Sequence, residues 1–259
     1  MTVDTLPDAL DHFDAVMDAL AAKPALFVDY DGTLTPIVAH PDLAIPSPQA
    51  KQVLSSLARR MPVAVISGRD RAELERRIGL PELIYAGCHG LDIGLPGAPA
   101  PAEAFRPAID AAEASLRARL SGLQGALVER KALSVAAHWR QVEPARAAEV
   151  RDAAAQVLAE HAPNLTAIPG KMVLELRPAL DWGKGHAALW LLDRLGADHA
   201  PLFLGDDVTD EDAFRAIASR GIGIVVADPT DPRPTAASFR LPDPAAVLAF
   251  LERLGLVVG

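Results

Sequence analysis

Two carboxylates stand directly after a short apolar run, in a pattern suited to chemistry on phosphorus. Residues 25–28 are followed by Asp29-Tyr30-Asp31-Gly32-Thr33-Leu34. Carboxylates spaced i, i+2 at a strand end can point the same way and act on one phosphorus atom. We predict that Asp29 attacks in line, while Asp31 protonates the leaving alkoxide and later deprotonates the water that clears the intermediate. Taken alone, the motif is equally well explained by an Asx-type turn closed by Gly32.

A third carboxylate follows another apolar run, in Gly205-Asp206-Asp207. Together with Asp29 and Asp31, Asp206 would complete a set of hard oxygen ligands of the kind that Mg²⁺ prefers. A bound Mg²⁺ would also offset the repulsion between an anionic nucleophile and an anionic substrate. The sequence therefore predicts a magnesium site formed by these three aspartates.

Lys184 lies between two glycines at a predicted helix start, where a cation opposes the helix dipole. Because this placement needs compensation, we predict that Lys184 binds phosphate and that Asp207 or Asp210 holds the lysine in place. A flexible, solvated lysine is the simpler alternative. The segment Thr209-Asp210-Glu211-Asp212 also fits a capping box, so we expect some of its acids to serve only as helix caps.

The tripeptide Ser67-Gly68-Arg69 follows a second apolar run, residues 63–66. A hydroxyl at a strand end can donate to a phosphate oxygen, and a glycine beside it allows close backbone approach. We therefore predict that Ser67, Gly68 and Arg69 bind substrate. Serine followed by glycine is also common in loops without any binding role. The position of the tripeptide at a strand end is what favours the binding role.

These residues are placed by alternating strand and helix patterns. Short apolar runs typical of buried parallel strands alternate with helical patterns in the N-terminal and C-terminal parts of the chain. This order predicts an α/β fold with a Rossmann-like parallel sheet and helices on both faces, whose strand ends meet at one edge. A smaller α+β domain is predicted as an insertion over residues 104–179, which leaves residues 1–103 and 180–259 for the core.

Taken in order, Asp29–Leu34, Ser67, Lys184 and Gly205-Asp206-Asp207 resemble the four motifs of haloacid dehalogenase (HAD)-type phosphatases. The wider match, which includes Gly87-Cys88-His89-Gly90, resembles the trehalose-6-phosphate phosphatase family. The resemblance implies hydrolysis of trehalose 6-phosphate with Mg²⁺ through an aspartyl-phosphate on Asp29. It also implies that the backbone carbonyl of Asp31 binds the metal and that Ser67 and Lys184 grip the phosphate.

The predicted insertion carries three segments that resemble cap motifs of the same family. These are Glu129-Arg130-Lys131, His138-Trp139-Arg140 and Gly170–Glu175. The resemblance implies that Glu129, Lys131 and Glu175 contact the sugar, and that the cap opens to admit substrate and closes over it. A solvated outer face of a small sheet is the alternative for these residues. The roles of four further residues stay open: His89, His138, Arg140 and Glu211.

Composition excludes several classes of partner. Lys plus Arg total 25 against 34 Asp plus Glu, a net charge of -9, which repels nucleic acid and anionic membranes. Cys88 is the only cysteine, so neither an internal disulfide nor a thiolate zinc cluster can form. The first residues lack a basic signal-peptide start and no apolar run reaches membrane length. We expect a cytoplasmic monomer that acts on a small molecule.

Two alternatives remain open at this stage. The core motifs do not name the leaving group, so another sugar or sugar-alcohol phosphate could be the substrate. The second alternative is a catalytically silent domain that binds sugar phosphate as a sensor. The presence of every motif that catalysis needs argues against it.

Overall fold

A computed structural model describes residues 1–20, 23–38, 40–170, 172–196 and 198–258. The chain divides into two compact units. We call Met1–Pro99 with Trp182–Gly259 the core unit, and Ala100–Asp181 the inserted unit. None of the helices in these described ranges is long and apolar enough to cross a membrane.

Helices and strands alternate along most of the chain. In order they are α1 (Phe13–Ala19), β1 (Lys23–Val28), α2 (Pro48–Ala58), β2 (Val63–Ile66), α3 (Arg71–Ile78), β3 (Ile84–Gly87), β4 (Asp92–Ile93), α4 (Arg106–Leu120), β5 (Leu127–Arg130), β6 (Val135–His138), α5 (Ala147–His161), β7 (Leu165–Gly170), β8 (Val173–Pro178), α6 (Lys184–Leu195), β9 (His199–Gly205), α7 (Asp210–Ile217), β10 (Ile222–Val226), β11 (Phe239–Leu241) and α8 (Pro244–Val257).

The core unit contains a seven-stranded sheet in the order β11-β10-β9-β1-β2-β3-β4. All neighbouring pairs are parallel except β3 and β4, which are antiparallel. Val28, the last residue of β1, pairs with Leu204 on one side and Val65 on the other. The residues that follow these three strands therefore emerge together at one edge of the sheet.

Strand β1 shows why the sheet is buried on both faces. Leu26 and Val28 pack into one apolar cluster, with residues of α1, α2, α3 and α8. Ala25 and Phe27 point the other way into a second cluster, with residues of α6 and α7. Side chains alternate between faces with period two, so a continuous apolar run is what a strand between two helix layers requires. The predicted fold class is confirmed.

The inserted unit is an antiparallel sheet in the order β5-β6-β8-β7. Helices α4 and α5 cover one of its faces, where Leu116, Val135, Val157 and Leu176 are fully buried. The opposite face carries Glu129 and Glu175, since both residues pair in register with Ala136 on the strand between them.

The first helix is shorter than its pattern predicts. Apolar spacing over residues 8–21 indicates one helix, yet α1 spans Phe13–Ala19 and residue 21 lies outside the described part of the chain. Asp8 Oδ1 accepts the Leu10 N–H at 2.9 Å. An aspartate that bonds the backbone two residues on forms an Asx turn, which competes with helix formation.

Candidate active site

The Lys184 ammonium lies in a buried cluster with two carboxylates. Lys184 Nζ donates to Asp29 Oδ1 and to Asp210 Oδ1, both at 2.7 Å. The exposed fractions of the three side chains are 3%, 6% and 0%. Asp29 follows β1, Lys184 begins α6 and Asp210 begins α7, so three elements distant in sequence meet here. Of the two acids predicted to hold Lys184, the structure places Asp210 against it.

The start of α6 shows how a buried cation is accommodated at a helix N-terminus. Asp212 Oδ2 accepts the Gly185 N–H at 2.9 Å, which satisfies one first-turn donor. The Gly183 N–H donates to His186 Nδ1 at 3.3 Å. A β-carbon at Gly183 or Gly185 would press against Asp212. The two glycines that flank Lys184 therefore let α7 approach closely enough to place acids around the lysine.

Asp206 lies beside this ion-pair cluster. One oxygen from each of Asp29, Asp206 and Asp210 lies within 4.8 Å of the others. Asp206 Oδ1 is buried and has no hydrogen-bond partner among the described residues. A β-carbon at Gly32 would overlap the Asp206 carboxylate, and one at Gly205 would overlap Asp210. The two glycines thus make room for carboxylates packed against the backbone.

Burial and crowding shift the pKa values of this cluster. Burial raises the pKa of Asp29 well above its usual value; Lys184 opposes this change, and the Asp210 and Asp206 carboxylates add to it. Burial also raises the pKa of Asp206 to about 6, with a further contribution from Asp210. Burial alone would lower the pKa of Lys184, but Asp29 and Asp210 raise it above the usual value, so the ammonium stays charged.

The cluster fits a divalent cation with hard oxygen ligands. Three carboxylates surround a single ammonium, and one buried carboxylate oxygen has no described hydrogen-bond partner. A bound cation would stabilise the ionised forms of Asp29 and Asp206, whose pKa values are raised by burial and, to a smaller extent, by neighbouring carboxylates. A set made only of carboxylate oxygens suits Mg²⁺. This set differs from the predicted one, because it includes the Asp210 carboxylate and not that of Asp31.

A pocket of about 260 Å³ opens in the core unit beside this cation site. Gly32, Asp206 and Asp243 form part of its lining, and the remaining lining residues are apolar: Pro36, Ile37, Val226, Pro242 and Pro244. Asp206 therefore borders both the carboxylate cluster and this pocket.

The Asp31 carboxylate is held by a guanidinium. Arg69 Nε donates to Asp31 Oδ2 at 2.6 Å, and Arg69 Nη2 donates to Asp31 Oδ1 at 2.8 Å. Arg69 Nη1 also donates to Glu73, and Nη2 to the Pro41 carbonyl. We predicted Arg69 among the substrate-binding residues, whereas the structure shows most of its donors engaged by protein groups.

Ser67 is buried at the end of β2, and its Oγ accepts the Arg69 N–H at 3.2 Å. The His89 ring packs directly against Gly68, where a β-carbon would overlap the ring. The His89 N–H donates to the Ser67 carbonyl at 2.8 Å. Cys88 and His89 both have positive φ angles, 52° and 58°, which side-chain-bearing residues adopt at a cost and chiefly where surrounding contacts require them. This turn braces the loop that carries Ser67.

The capping-box interpretation of the segment after β9 is wrong. Thr209 is the N-cap residue of α7 but makes no capping hydrogen bond with its side chain. Instead, Asp210 Oδ2 accepts the Asp207 N–H at 3.0 Å, while Asp207 Oδ1 accepts the Val208 N–H at 2.7 Å. Glu211 is also buried, and its Oε2 accepts the Ala236 N–H at 2.8 Å. Asp207 and Asp210 thus close a local turn, Asp210 also belongs to the cation site, and Glu211 bonds a distant segment of the core unit.

The inserted unit brings together the side chains predicted to contact sugar. Lys131 Nζ donates to Glu175 Oε2 and Ser134 Oγ donates to Glu175 Oε1, both at 2.6 Å. Glu129 Oε2 lies 2.8 Å from His138 Nε2, and this contact lowers the pKa of Glu129. Lys171, which belongs to the third segment resembling a cap motif, lies outside the described residues.

Sequence reasoning missed two contributors to the site. Asp210 was expected to support Lys184, yet its carboxylate also belongs to the three-oxygen cluster. Its place at the start of α7, only a short turn after Asp206 at the end of β9, was the available signal. Glu73, which pairs with Arg69 and Arg77, was not singled out at all. Its i, i+4 spacing to both arginines was again the signal.

Known proteins are similar to this chain in sequence and in fold. A family model described as trehalose-phosphatase matches residues 27–245. Trehalose-phosphate phosphatase from Mycobacterium bovis (strain BCG / Pasteur 1173P2) is 43% identical over 258 residues, which cover 96% of this chain and 66% of the relative. The chain thus spans slightly less than two thirds of that relative's length.

Solved structures agree with these sequence matches. Aspergillus fumigatus trehalose-6-phosphate phosphatase is 32% identical, with a TM-score of 0.66 over 96% of this chain and 99% of that chain. A haloacid dehalogenase-like hydrolase from Bacteroides thetaiotaomicron is 14% identical, with a TM-score of 0.65 over 90% and 99%. The second likeness shows the HAD fold alone. The family model, which matches residues 27–245, shows that the chain belongs to the trehalose-phosphatase family.

Proposed function

We propose that the protein hydrolyses trehalose 6-phosphate to trehalose and inorganic phosphate. The observation that carries the proposal is the buried cluster in which Lys184 bridges Asp29 and Asp210 beside Asp206. Burying three carboxylates costs folding free energy, so the arrangement favours a function that needs them. The choice of substrate comes from the trehalose-phosphate phosphatases that the chain resembles, since the cluster alone does not distinguish one phosphate ester from another.

We propose that Asp29 is the nucleophile and Asp31 the general acid and base. An Asp29 oxygen attacks phosphorus, the bond from phosphorus to the sugar oxygen breaks, and Asp31 gives its proton to that oxygen. Water then attacks the aspartyl-phosphate, Asp31 takes the water's proton, and inorganic phosphate leaves with Asp29 restored. Asp31 suits this task because its side chain is 41% exposed, against 6% for Asp29.

Other parts of the core unit would hold the phosphate and the metal. We propose that Ser67 and Lys184 bind phosphate oxygens, and that the carboxylates of Asp29, Asp206 and Asp210 hold Mg²⁺. The family resemblance adds the Asp31 backbone carbonyl to this metal site. When bound, Mg²⁺ supplies positive charge that offsets repulsion between the nucleophile and the phosphate dianion.

In the inserted unit, we propose that Glu129, Lys131 and Glu175 bind sugar hydroxyls. Carboxylates accept hydrogen bonds and an ammonium donates them, so the three residues together match the mixed character of hydroxyl groups. We further propose that the protein acts as a monomer in the cytoplasm, where its single Cys88 would stay reduced.

The test is phosphate release in the presence of Mg²⁺ from trehalose 6-phosphate, sucrose 6-phosphate, glucose 6-phosphate and phosphoserine. Trehalose 6-phosphate should be hydrolysed far faster than the other three, and Asp29→Asn should abolish turnover because an amide cannot attack phosphorus as a carboxylate does. Equal or lower release from trehalose 6-phosphate would point to another sugar phosphate. Binding of trehalose 6-phosphate without turnover would indicate a silent sensor.

A further inference from the structure

Arg69 lies between the strand edge that carries Asp31 and the helix that carries Glu73. Its guanidinium engages both Asp31 oxygens, at 2.6 and 2.8 Å, and also bonds Glu73 and the Pro41 carbonyl. The Arg69 side chain is only 10% exposed, whereas that of Asp31 is 41% exposed. The guanidinium is therefore the fixed partner and the carboxylate the accessible one.

A second arginine shares the Glu73 carboxylate with Arg69 but is held by other groups as well. Arg77 Nε donates to Glu73 Oε1 at 2.7 Å, and Arg77 Nη1 and Nη2 donate to the Asp42 carbonyl and carboxylate, both at 2.9 Å. Glu73 on α3 thus accepts hydrogen bonds from Arg69, which precedes the helix, and from Arg77 within it. The Arg69 guanidinium also lies over the Tyr30 ring, 5.2 Å from its centroid, where a cation is attracted to the ring face.

The backbone of Arg69 is fixed as well. Its N–H donates to Ser67 Oγ at 3.2 Å, and its carbonyl accepts the Cys88 N–H at 2.8 Å. The loop that places the Ser67 hydroxyl therefore also places the guanidinium that meets Asp31.

We propose that Arg69 is a positioning residue that fixes the direction of the Asp31 carboxyl for proton transfer to the leaving oxygen. The proposal rests on the proposed function for the role of Asp31. A planar guanidinium fork that meets both carboxylate oxygens sets orientation as well as distance, which a point-charge ammonium does not do. In the alternative role, Arg69 would bind the substrate phosphate directly.

The test uses Arg69→Ala, Arg69→Lys and Arg77→Ala. Arg77 is the matched control, since it is similarly buried and bonds the same Glu73 but is not among the donors to Asp31. Values of kcat/KM are compared for trehalose 6-phosphate, whose alkoxide needs a proton to leave, and for 4-nitrophenyl phosphate, whose phenolate leaves readily. The inhibition constant of inorganic phosphate is measured for each variant.

With both Arg69 variants, kcat/KM for trehalose 6-phosphate should fall by about 10²-fold, which is the order of the rate enhancement that a positioned general acid contributes. The loss on 4-nitrophenyl phosphate should be at least about tenfold smaller, and the phosphate inhibition constant should stay within about twofold of wild type. Arg77→Ala should affect both esters by the same small factor. Equal losses on both esters with weaker phosphate inhibition would overturn the proposal in favour of substrate binding, and a selective loss in Arg77→Ala would overturn it too.

A wild-type protein that hydrolyses neither ester would refute the proposed function rather than this inference. Crystal structures of the wild type and Arg69→Lys then decide the inference directly. A displaced Asp31 carboxylate in Arg69→Lys supports the positioning role, and an unchanged one overturns it.

Discussion

Lys184 occupies a position that is unfavourable for a cation as far as its own helix is concerned. A cation in the first turn opposes the helix dipole, and burial of an ammonium is costly unless it is paired. Both costs are offset by Asp29 and Asp210, which each accept a bond of 2.7 Å from Lys184. The lysine in turn stabilises two carboxylates that would otherwise be buried without a cation.

We predict that Lys184→Ala lowers the free energy of unfolding by about 3–5 kcal/mol in the absence of Mg²⁺, because it leaves buried charges unpaired. The matched control is Lys23→Ala, since Lys23 pairs with Asp198 while its side chain is 75% exposed. That change should cost no more than about 1 kcal/mol. Urea denaturation measures both values. Similar losses in the two variants would contradict the stabilising role assigned to the buried lysine.

At the scale of elements, strongly patterned segments were predictable and short edge strands were not. Sequence patterns predict a helix over Lys184–Leu195 and a strand over Ile222–Val226. Helix α6 and strand β10 have these same bounds. Strands β4 and β11 contain two and three residues. Segments that short have no repeating pattern, so the sequence does not reveal them.

Contacts between distant elements were the least predictable part of the site. Arg69 and Asp31 are 38 residues apart, and nothing local to either residue indicates the pairing. From the sequence, Asp210 could be interpreted as a helix cap or as the partner of Lys184, and a place at a helix start is compatible with both roles. Only the packing of α6 against α7 distinguishes the two.

The sheet of the inserted unit makes a prediction at this scale. Glu129 and Glu175 lie on the face opposite α4 and α5, on either side of Ala136, and Lys131 bonds Glu175. Alanine at each charged position should lower kcat/KM for trehalose 6-phosphate by at least about tenfold, because unmatched sugar hydroxyls weaken transition-state binding. For 4-nitrophenyl phosphate, which has no sugar, the change should stay within about twofold.

Glu160→Ala is the control for that experiment, since Glu160 pairs with Arg119 on the helical side of the inserted unit and is 46% exposed. It should leave both esters unaffected. An equal loss of kcat/KM on both esters in the Glu129, Lys131 and Glu175 variants would mean that these residues support the fold rather than bind the sugar.

For the whole molecule, the carboxylate cluster links stability to pH and to Mg²⁺. The pKa of Asp206 rises from the usual 3.8 to about 6 on folding, and that of Asp29 rises as well. A raised pKa means that the folded state favours the protonated carboxyl. The stabilisation is fully present below the unfolded pKa and is lost as pH rises through the folded pKa. Without Mg²⁺, the free energy of unfolding that Asp206 contributes therefore falls between about pH 4 and about pH 6.

A cation reverses this trend, because it binds only the ionised carboxylates. The gain in unfolding free energy on adding about 10 mM Mg²⁺ should therefore be larger at about pH 7 than at about pH 5. Denaturation with Mg²⁺ and with a chelator at both pH values measures the gain. Asp206→Asn removes the charge at nearly constant shape, so it should stabilise the metal-free protein at about pH 7. The same variant should lose most of the increase in unfolding free energy that Mg²⁺ gives. A gain that is equal at both pH values, or that survives in Asp206→Asn, would place the cation elsewhere on the molecule.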